Sequence, residues 1–353
     1  NPRVDGGGAA RLAAAGVAVE ADVGADAAAA LYAPFARWIA TGRPFVTAKW
    51  AMSLDGRIAT RSGDSRWISG PAARALAHRL RDRVDAVLVG AGTIRADDPE
   101  LTVRLAADAA PPDGRQPLRV VLAGRRGVPP AARLFDTTVA PTLVVAAGLP
   151  AGQAAALAAR GVEVVVVAGR AGRVDVDAVL DALGRRGLLH VLVEGGAAVH
   201  GSFAAARAID AVWAVVAPLV IGGAAAPGPV GGRGAARLAD AMRLADVTSH
   251  AVGDDIVIEG RPIWPADSAR RTPADPERTA RTAADHPGTG RTGTVRTGTD
   301  HTGTGRSNTD HTGTGHTGTG RSNTDHTGTG HTGTGRTDTV RVGARHAVPA
   351  PPA

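Results

Sequence analysis

Residues 43–265 predict an α/β fold: a mostly parallel sheet with helices on both faces. Three observations lead there. Val- and Leu-rich runs recur through the region, and most are continuous rather than alternating, as in strands buried on both faces. Helical segments separate several of them, which is the rhythm of parallel strands joined by crossovers. After Trp264-Pro265 the hydrophobic periodicity stops, so the fold is expected to end there.

In chain order, residues 1–42 form a small leading piece: a helical ARLAAAG, a strand VAVEADV and a helix over about 25–39. The strand is apolar enough to want neighbours. It reads as the closing edge of a sheet whose other strands are missing from the chain. The main domain's expected strands are FVTAKWAM, DAVLVGAG, LRVVLAG, TLVVAA, VEVVVVA, LHVLVEGG, DAVWAVVAPLVI and DIVIEG. Helices are expected over 71–83, 151–160, 176–186 and 197–207. Ser69, with Pro71 two residues on, suits the first helix start. A long Gly-rich connection precedes the last strand, as for an antiparallel C-terminal edge.

The tail over 266–353 contains RSNTDHTGTGHTGTG, which begins at Arg306 and recurs from Arg321. Gly, Thr, Asp, Asn and His bury too little apolar surface to offset chain entropy, so this tail is expected to be disordered. Its histidines suit weak metal binding, but a solvated repeat is the simpler reading.

Composition removes whole classes of function. There is no Cys, hence no disulfide, thiolate zinc site or cysteine nucleophile. No apolar run reaches membrane-spanning length. The net charge of +7 suggests nucleic acid, yet no Lys/Arg block or row of stacking aromatics accompanies it. No nucleic-acid or membrane partner is expected.

Three segments carry chemistry. In VLVGAGTIRADDPELTVR, Gly90 and Gly92 end a strand, where bare backbone amides suit a phosphate. Arg95 occupies the third glycine position of the dinucleotide fingerprint, so a tight turn is the competing reading. In LHVLVEGGAAVHGSF, a strand delivers Glu194 at its carboxyl end, and Gly195 and Gly196 open a helix. That helix start suits a diphosphate, while Glu194 faces either a sugar hydroxyl or the helix dipole. In KWAMSLDGRIATRSGDSRWISG, Lys49 is the one lysine of a chain with 40 Lys plus Arg. It sits within an apolar strand, with Ala51 on its face and Trp50 and Met52 opposite. Such a lysine either snorkels to the surface or meets an anion as a compact, titratable donor.

In this order and spacing, SLDGRIATRSGDSRWISG, VGAGTIRADDPELTVR and LVEGGAAVHGSF resemble the reductase domain of the bifunctional riboflavin-biosynthesis deaminase/reductases. The resemblance covers about 44–262 and implies a dihydrofolate-reductase-like fold. Residues 1–42 resemble the end of that family's deaminase domain. No HxE or PCxxC zinc motif is present, so deamination is not expected.

The resemblance further implies NADPH-dependent reduction of 5-amino-6-(5-phosphoribosylamino)uracil. Ala51, Trp67, Thr93, Asp97 and Gly124 match cofactor contacts, and so do Gly196, Ala197, Ala198, Val199, His200, Gly201 and Ser202. Ser65, Arg81, Leu101, Arg104 and Glu194 match substrate contacts, with Arg81 and Arg104 expected on the 5′-phosphate. Lys49, Asp55 and Glu194 are the expected catalytic residues, and no metal is needed. A cytoplasmic homodimer is expected. The competing readings are a related reductase acting on another pterin- or pyrimidine-like substrate, and a non-catalytic NADP-binding remnant.

Overall fold

A computed structural model describes residues 7–105, 114–170 and 172–265; the tail expected to be disordered lies outside the described residues. Two helices come first, α1 (Gly7–Ala14) and α2 (Ala25–Thr41). The main domain follows as β1 (Phe45–Ser53), α3 (Pro71–Asp82), β2 (Ala86–Gly90), α4 (Ala91–Asp97), β3 (Leu118–Ala123), β4 (Thr142–Ala146), α5 (Gln153–Ala158) and β5 (Glu163–Val166). A short hairpin, β6 (Gly169–Arg170) and β7 (Arg173–Val174), leads into α6 (Val176–Gly184). The chain closes with β8 (His190–Gly195), α7 (Ala197–Ala205), β9 (Ala211–Ala217), β10 (Arg243–Val252) and β11 (Asp255–Ile263).

One nine-stranded sheet runs β10-β11-β9-β1-β8-β2-β3-β4-β5. From β9 to β5 every pairing is parallel, and β11 and β10 add antiparallel at the C-terminal edge. This is the architecture the sequence predicts. β8 returns between β1 and β2, so the carboxyl ends of these three strands meet where the strand order reverses. Open α/β sheets bind ligands at such a place.

Both faces are covered. On one, Val179, Leu180 and Leu183 of α6 and Phe203 of α7 pack against Val46, Ala48, Leu88 and Val193. On the other, Ile94 of α4 and Leu157 of α5 meet Val87, Val121, Val144 and Leu192, and Ala73 and Ala77 of α3 meet Trp213 and Val257. Small α3 residues let the helix lie close to the sheet, bringing its long polar side chains over the strand ends. Pro71 takes the first turn of α3, but Gly70 is the cap residue rather than Ser69, and its N–H donates to Asp255 Oδ2 at 2.7 Å.

Four local expectations change. VAVEADV forms no strand, and Val17, Val19 and Val23 are exposed. A strand needs a ladder partner, and none lies beside this segment among the described residues. GAGT opens α4 rather than a loop, with Gly90 as its cap residue. β10 escaped the sequence reading because it is an edge strand with a mostly exposed, polar sequence. The β6–β7 hairpin is too short to leave a periodic trace. The second leading helix also meets the main domain: Trp38 Nε1 of α2 donates to Gly184 O at 3.0 Å, and Arg37 pairs with Asp210 at 3.5 Å.

Candidate active site

Strand alternation builds the first half of the site. Lys49 and Ala51 point to the α3 side of β1, and Glu194 points the same way from β8, one residue beyond the Ala48–Val193 register pair. Arg81, at the end of α3, reaches down to Glu194 in a two-pronged pair, Nε to Oε1 at 2.5 Å and Nη2 to Oε2 at 2.8 Å. Arg81 Nη1 also donates to the Thr102 carbonyl at 3.0 Å. Burial pushes the Glu194 carboxyl up, but the Arg81 guanidinium outweighs it and, with Lys49 and His78, lowers it to about 2. Glu194 is therefore a carboxylate at any working pH.

Lys49 lies beside Trp213 of β9, its register partner, with Nζ 6.0 Å from the ring centroid. Its ammonium makes no hydrogen bond or ion pair among the described residues. Burial pushes its pKa down, Glu194 pulls it up, and Arg81 pushes it down again, leaving a net lowering. The lone lysine is thus an unpartnered donor close to a fixed anion, not a snorkelling surface residue.

Around this pair lie the polar loops. Ser65 Oγ donates to Asp97 Oδ1 at 3.0 Å, and Arg66 Nη2 donates to the Asp97 carbonyl. Trp67 is exposed and stacks under Arg74, whose guanidinium is 4.6 Å from the ring centroid. Leu101 is buried with φ 55°, a left-handed conformation strained for a leucine. Arg104 Nη1 donates to Glu100 Oε2 at 3.0 Å and Thr102 Oγ1 at 2.6 Å, and its backbone N–H donates to His78 Nδ1 at 3.2 Å.

The second half is made mostly of backbone. A cavity of about 500 Å³ opens beyond β2 and β3, lined by Gly92, Gly124, Arg125, Arg126, Arg173, Ala198, Val199 and Ser202, among others. Thr93 and Gly196 adjoin it; a Cβ at Gly196 would sit 2.9 Å from Thr93 Oγ1 at φ +82°. A Cβ at Gly124 would lie 2.1 Å from Gly172 O, so glycine there is a packing requirement of the β6–β7 hairpin and only backbone faces the cavity. Arginines at the rim, amides at the start of α7 and an apolar floor fit a nucleotide with several phosphates.

Several expected site residues also make contacts that hold the fold. His200 is buried under α7, its ring nitrogens 3.0 Å from Val193 O and 3.1 Å from Pro229 O, with Trp50 edge-on at 5.5 Å. Its ring anchors the helix to the sheet and to the 229 loop. Gly201 faces Gly231, whose carbonyl would lie 2.1 Å from a Cβ, and the Ala197 carbonyl accepts from Gly231 N. Asp55 accepts from Ser53 Oγ at 2.6 Å, Ile221 N at 3.0 Å and Gly222 N at 2.7 Å, and these bonds hold its carboxyl down to about 2. Both oxygens are thus committed to fastening the turn after β1 to the loop after β9. Arg81 grips Glu194 instead of standing open for a phosphate.

Residues missed by the sequence reading include Trp213, Thr102 and His78. Trp213 and Thr102 act through register and a backbone carbonyl, which leave no motif. His78 lies three residues before Arg81 on one helix face, a spacing visible in AHRLR.

Residues 44–258 match the model of the RibD C-terminal domain. The riboflavin biosynthesis protein RibD of Bacillus amyloliquefaciens is 38% identical over 264 residues, covering 74% of this chain and 69% of that protein. The 2,5-diamino-6-ribosylamino-4(3H)-pyrimidinone 5′-phosphate reductase of Methanothermobacter thermautotrophicus is 38% identical over 217 residues, 62% of this chain and 97% of that protein. The Acinetobacter baumannii RibD structure superposes with a TM-score of 0.62 at 30% identity, covering 73% of this chain and 69% of that one. The chain spans about two thirds of the length of its RibD relatives and nearly all of the archaeal reductase. With its parallel sheet, its Glu194–Arg81 pair and its glycine-lined cavity, the chain belongs to the RibD C-terminal domain family, the reductase domain of riboflavin biosynthesis.

Proposed function

We propose that this chain reduces 5-amino-6-(5-phosphoribosylamino)uracil to the ribitylamino product, with NADPH as the reductant. The observation carrying this reading is the adjacency at the end of β8 of Glu194, which ends the charged half of the site, and Gly195-Gly196, which lead into α7 and begin the phosphate-binding half. A substrate above Glu194 and a nucleotide on α7 then meet at the strand ends.

When bound, the nicotinamide supplies a hydride to ribose C1′. As the C1′–H bond forms, the C1′–O4′ bond breaks and O4′ takes a proton. Lys49 is the donor suited to that proton, because its ammonium makes no competing hydrogen bond among the described residues and its pKa is lowered. Glu194 holds ribose hydroxyls as a carboxylate, and Arg81 fixes its two oxygens in place. Arg104 and Ser65 border the substrate on the side of the 98–104 loop. Trp67 and the Thr93–Gly196 contact lie toward the nucleotide. Arg125 and Arg126, just beyond β3, supply the positive charge that favours the extra phosphate of NADPH over NADH. A homodimer accords with the open ladder edge of β10, which a second copy can extend.

The test is consumption of NADPH in the presence of the phosphoribosylaminouracil, with the ribityl product identified by mass. Turnover with NADPH well above NADH is expected. Absence of product with the full chain, or equal use of both nucleotides, overturns the reading.

A further inference from the structure

We infer that His78 is a further substrate-binding residue, whose Nε2–H donates to the phosphate of the phosphoribosyl group beside Arg104. This rests on the reading of the chain as a phosphoribosylaminopyrimidine reductase. The geometry starts from one hydrogen bond. The Arg104 backbone N–H can only donate, so His78 Nδ1 at 3.2 Å is an acceptor and the ring proton belongs on Nε2. The ring N–H meets one carbonyl, that of Thr102, which already accepts from Arg81 Nη1 and so keeps a donor when the ring N–H turns to a ligand.

Position argues the rest. Arg74, His78 and Arg81 form one stripe along α3 at helical spacing. The first stacks on Trp67 and the last grips Glu194, so His78 lies on the charged side of the site, between Trp67 and the Arg81–Glu194 pair. The groups facing it are Arg81, Arg104, Glu194 and the Thr102 carbonyl. Burial lowers its pKa to about 4, and Arg81 and Arg104 push the same way, while Glu194 and Thr102 pull weakly upward. The imidazole is therefore neutral at working pH.

A neutral donor between two guanidiniums adds a hydrogen bond for an anion without adding a third repelling charge. Such a donor is needed here. Arg81 is engaged with Glu194, and the Arg104 guanidinium is shared with Glu100 and Thr102, so neither is wholly free for the phosphate.

His78→Gln and His78→Asn separate the two ring nitrogens. The Gln amide nitrogen reaches the place of Nε2, whereas Asn restores only the acceptor at the place of Nδ1. Calorimetric titration of the full chain with ribose 5-phosphate, which needs no turnover, is compared with titration by ribose. For wild type and His78→Gln, ribose 5-phosphate affinities within about threefold are expected. For His78→Asn a loss of roughly tenfold is expected, the scale of one hydrogen bond to a charged group. With the aminouracil substrate, the same loss should fall on KM and leave kcat within about twofold. Equal affinities in all three proteins overturn the proposal. So does retention in His78→Asn with loss in His78→Gln, which would make His78 a prop for the Arg104 loop. A wild type that binds ribose 5-phosphate no better than ribose overturns it as well. Binding of ribose 5-phosphate that responds to His78 as expected, without any turnover of the aminouracil, would instead sink the functional reading and leave the phosphate site standing.

Discussion

The two halves of the site meet at consecutive residues of one strand yet are built by opposite means. Glu194 and the groups on its side are mostly side chains held by other side chains: Arg81 by Glu194, Lys49 beside Trp213, Ser65 on Asp97. From Gly195 onward the site is mostly backbone: glycines, helix-start amides and a cavity whose shape depends on what side chains are absent. The difference teaches where information about function resides. A side-chain half fails when chemistry is removed, and a backbone half fails when bulk is added.

The largest expected effect is at Lys49. If the charged half works by proton donation, Lys49→Arg and Lys49→Met should each lose roughly 10²-fold or more in turnover, since arginine is charged but does not release a proton. Single-turnover reduction at saturating substrate checks it, and wild-type-like rates in Lys49→Arg would reduce the lysine to a packing residue. The pH profile gives an independent reading. A donor must be protonated, and the Lys49 pKa lies below the ordinary lysine value, so kcat should fall as pH rises through that lowered pKa. The limb should vanish in Lys49→Met.

Next in size is Glu194→Gln. The sequence alone suggests an effect mainly on affinity, because an amide still bonds hydroxyls. The Arg81 pair changes the expectation: the neutral amide leaves Arg81 and Lys49 uncompensated in a largely buried place. A stability loss of about 3 kcal/mol is the scale for breaking such a pair. Chemical denaturation at pH 7 measures it. The sign with pH follows from a folded pKa near 2 against an unfolded value of roughly 4.3. The wild-type advantage is full above about pH 4.3 and fades as pH falls through about 2. A difference between wild type and Glu194→Gln that stays constant from neutral to acid pH would break this account.

The backbone half calls for the reverse experiment, a small addition. A Cβ at Gly92 meets nothing within 4 Å among the described residues, and Gly92 lines the cavity. Gly92→Ala should leave the melting temperature nearly unchanged and weaken NADPH binding by several-fold, as the methyl group enters space meant for the nucleotide. Gly201→Ala, by contrast, collides with the Gly231 carbonyl and should destabilise the fold. If both variants bind NADPH like wild type, the cofactor does not lie on this surface.

The contrast also explains what could be read from the sequence. The parallel strands were legible because Val and Leu runs buried on both faces have few other uses, and VLVG and VLVEGG mark where those strands end. β10 was not, because an exposed edge strand has no hydrophobic signature. In the site, Lys49 and Glu194 stood out as charges inside apolar strands. What the motifs did not reveal was pairing. Arg81 and Glu194 are 113 positions apart, and only the fold makes one the other's counter-ion. In the same way 196–202 reads as one phosphate-binding turn, but a helix has two sides. Ala198, Val199 and Ser202 face the cavity while His200 and Gly201 face the protein.

The smallest effect is expected at Asp55, and it tests where the charged half ends. Asp55 sits in a motif shared with catalytic positions, but its oxygens accept from Ser53 Oγ and from the amides of Ile221 and Gly222. Its carboxyl is lowered to about 2 chiefly by Ser53 and by those amides, so it stays ionised and has no proton to give near neutral pH. Asp55→Asn keeps one acceptor oxygen and turns the other into a donor facing an amide, which should loosen the 221–222 loop. The expected result is a melting temperature lowered slightly, a single-turnover rate within about twofold of wild type, and an unchanged pH profile. Lys49→Met in the same assays loses rate without the loop change. A single-turnover rate that falls in Asp55→Asn as far as in Lys49→Met would move Asp55 from the scaffold into the chemistry, and the charged half would then extend past the end of β1.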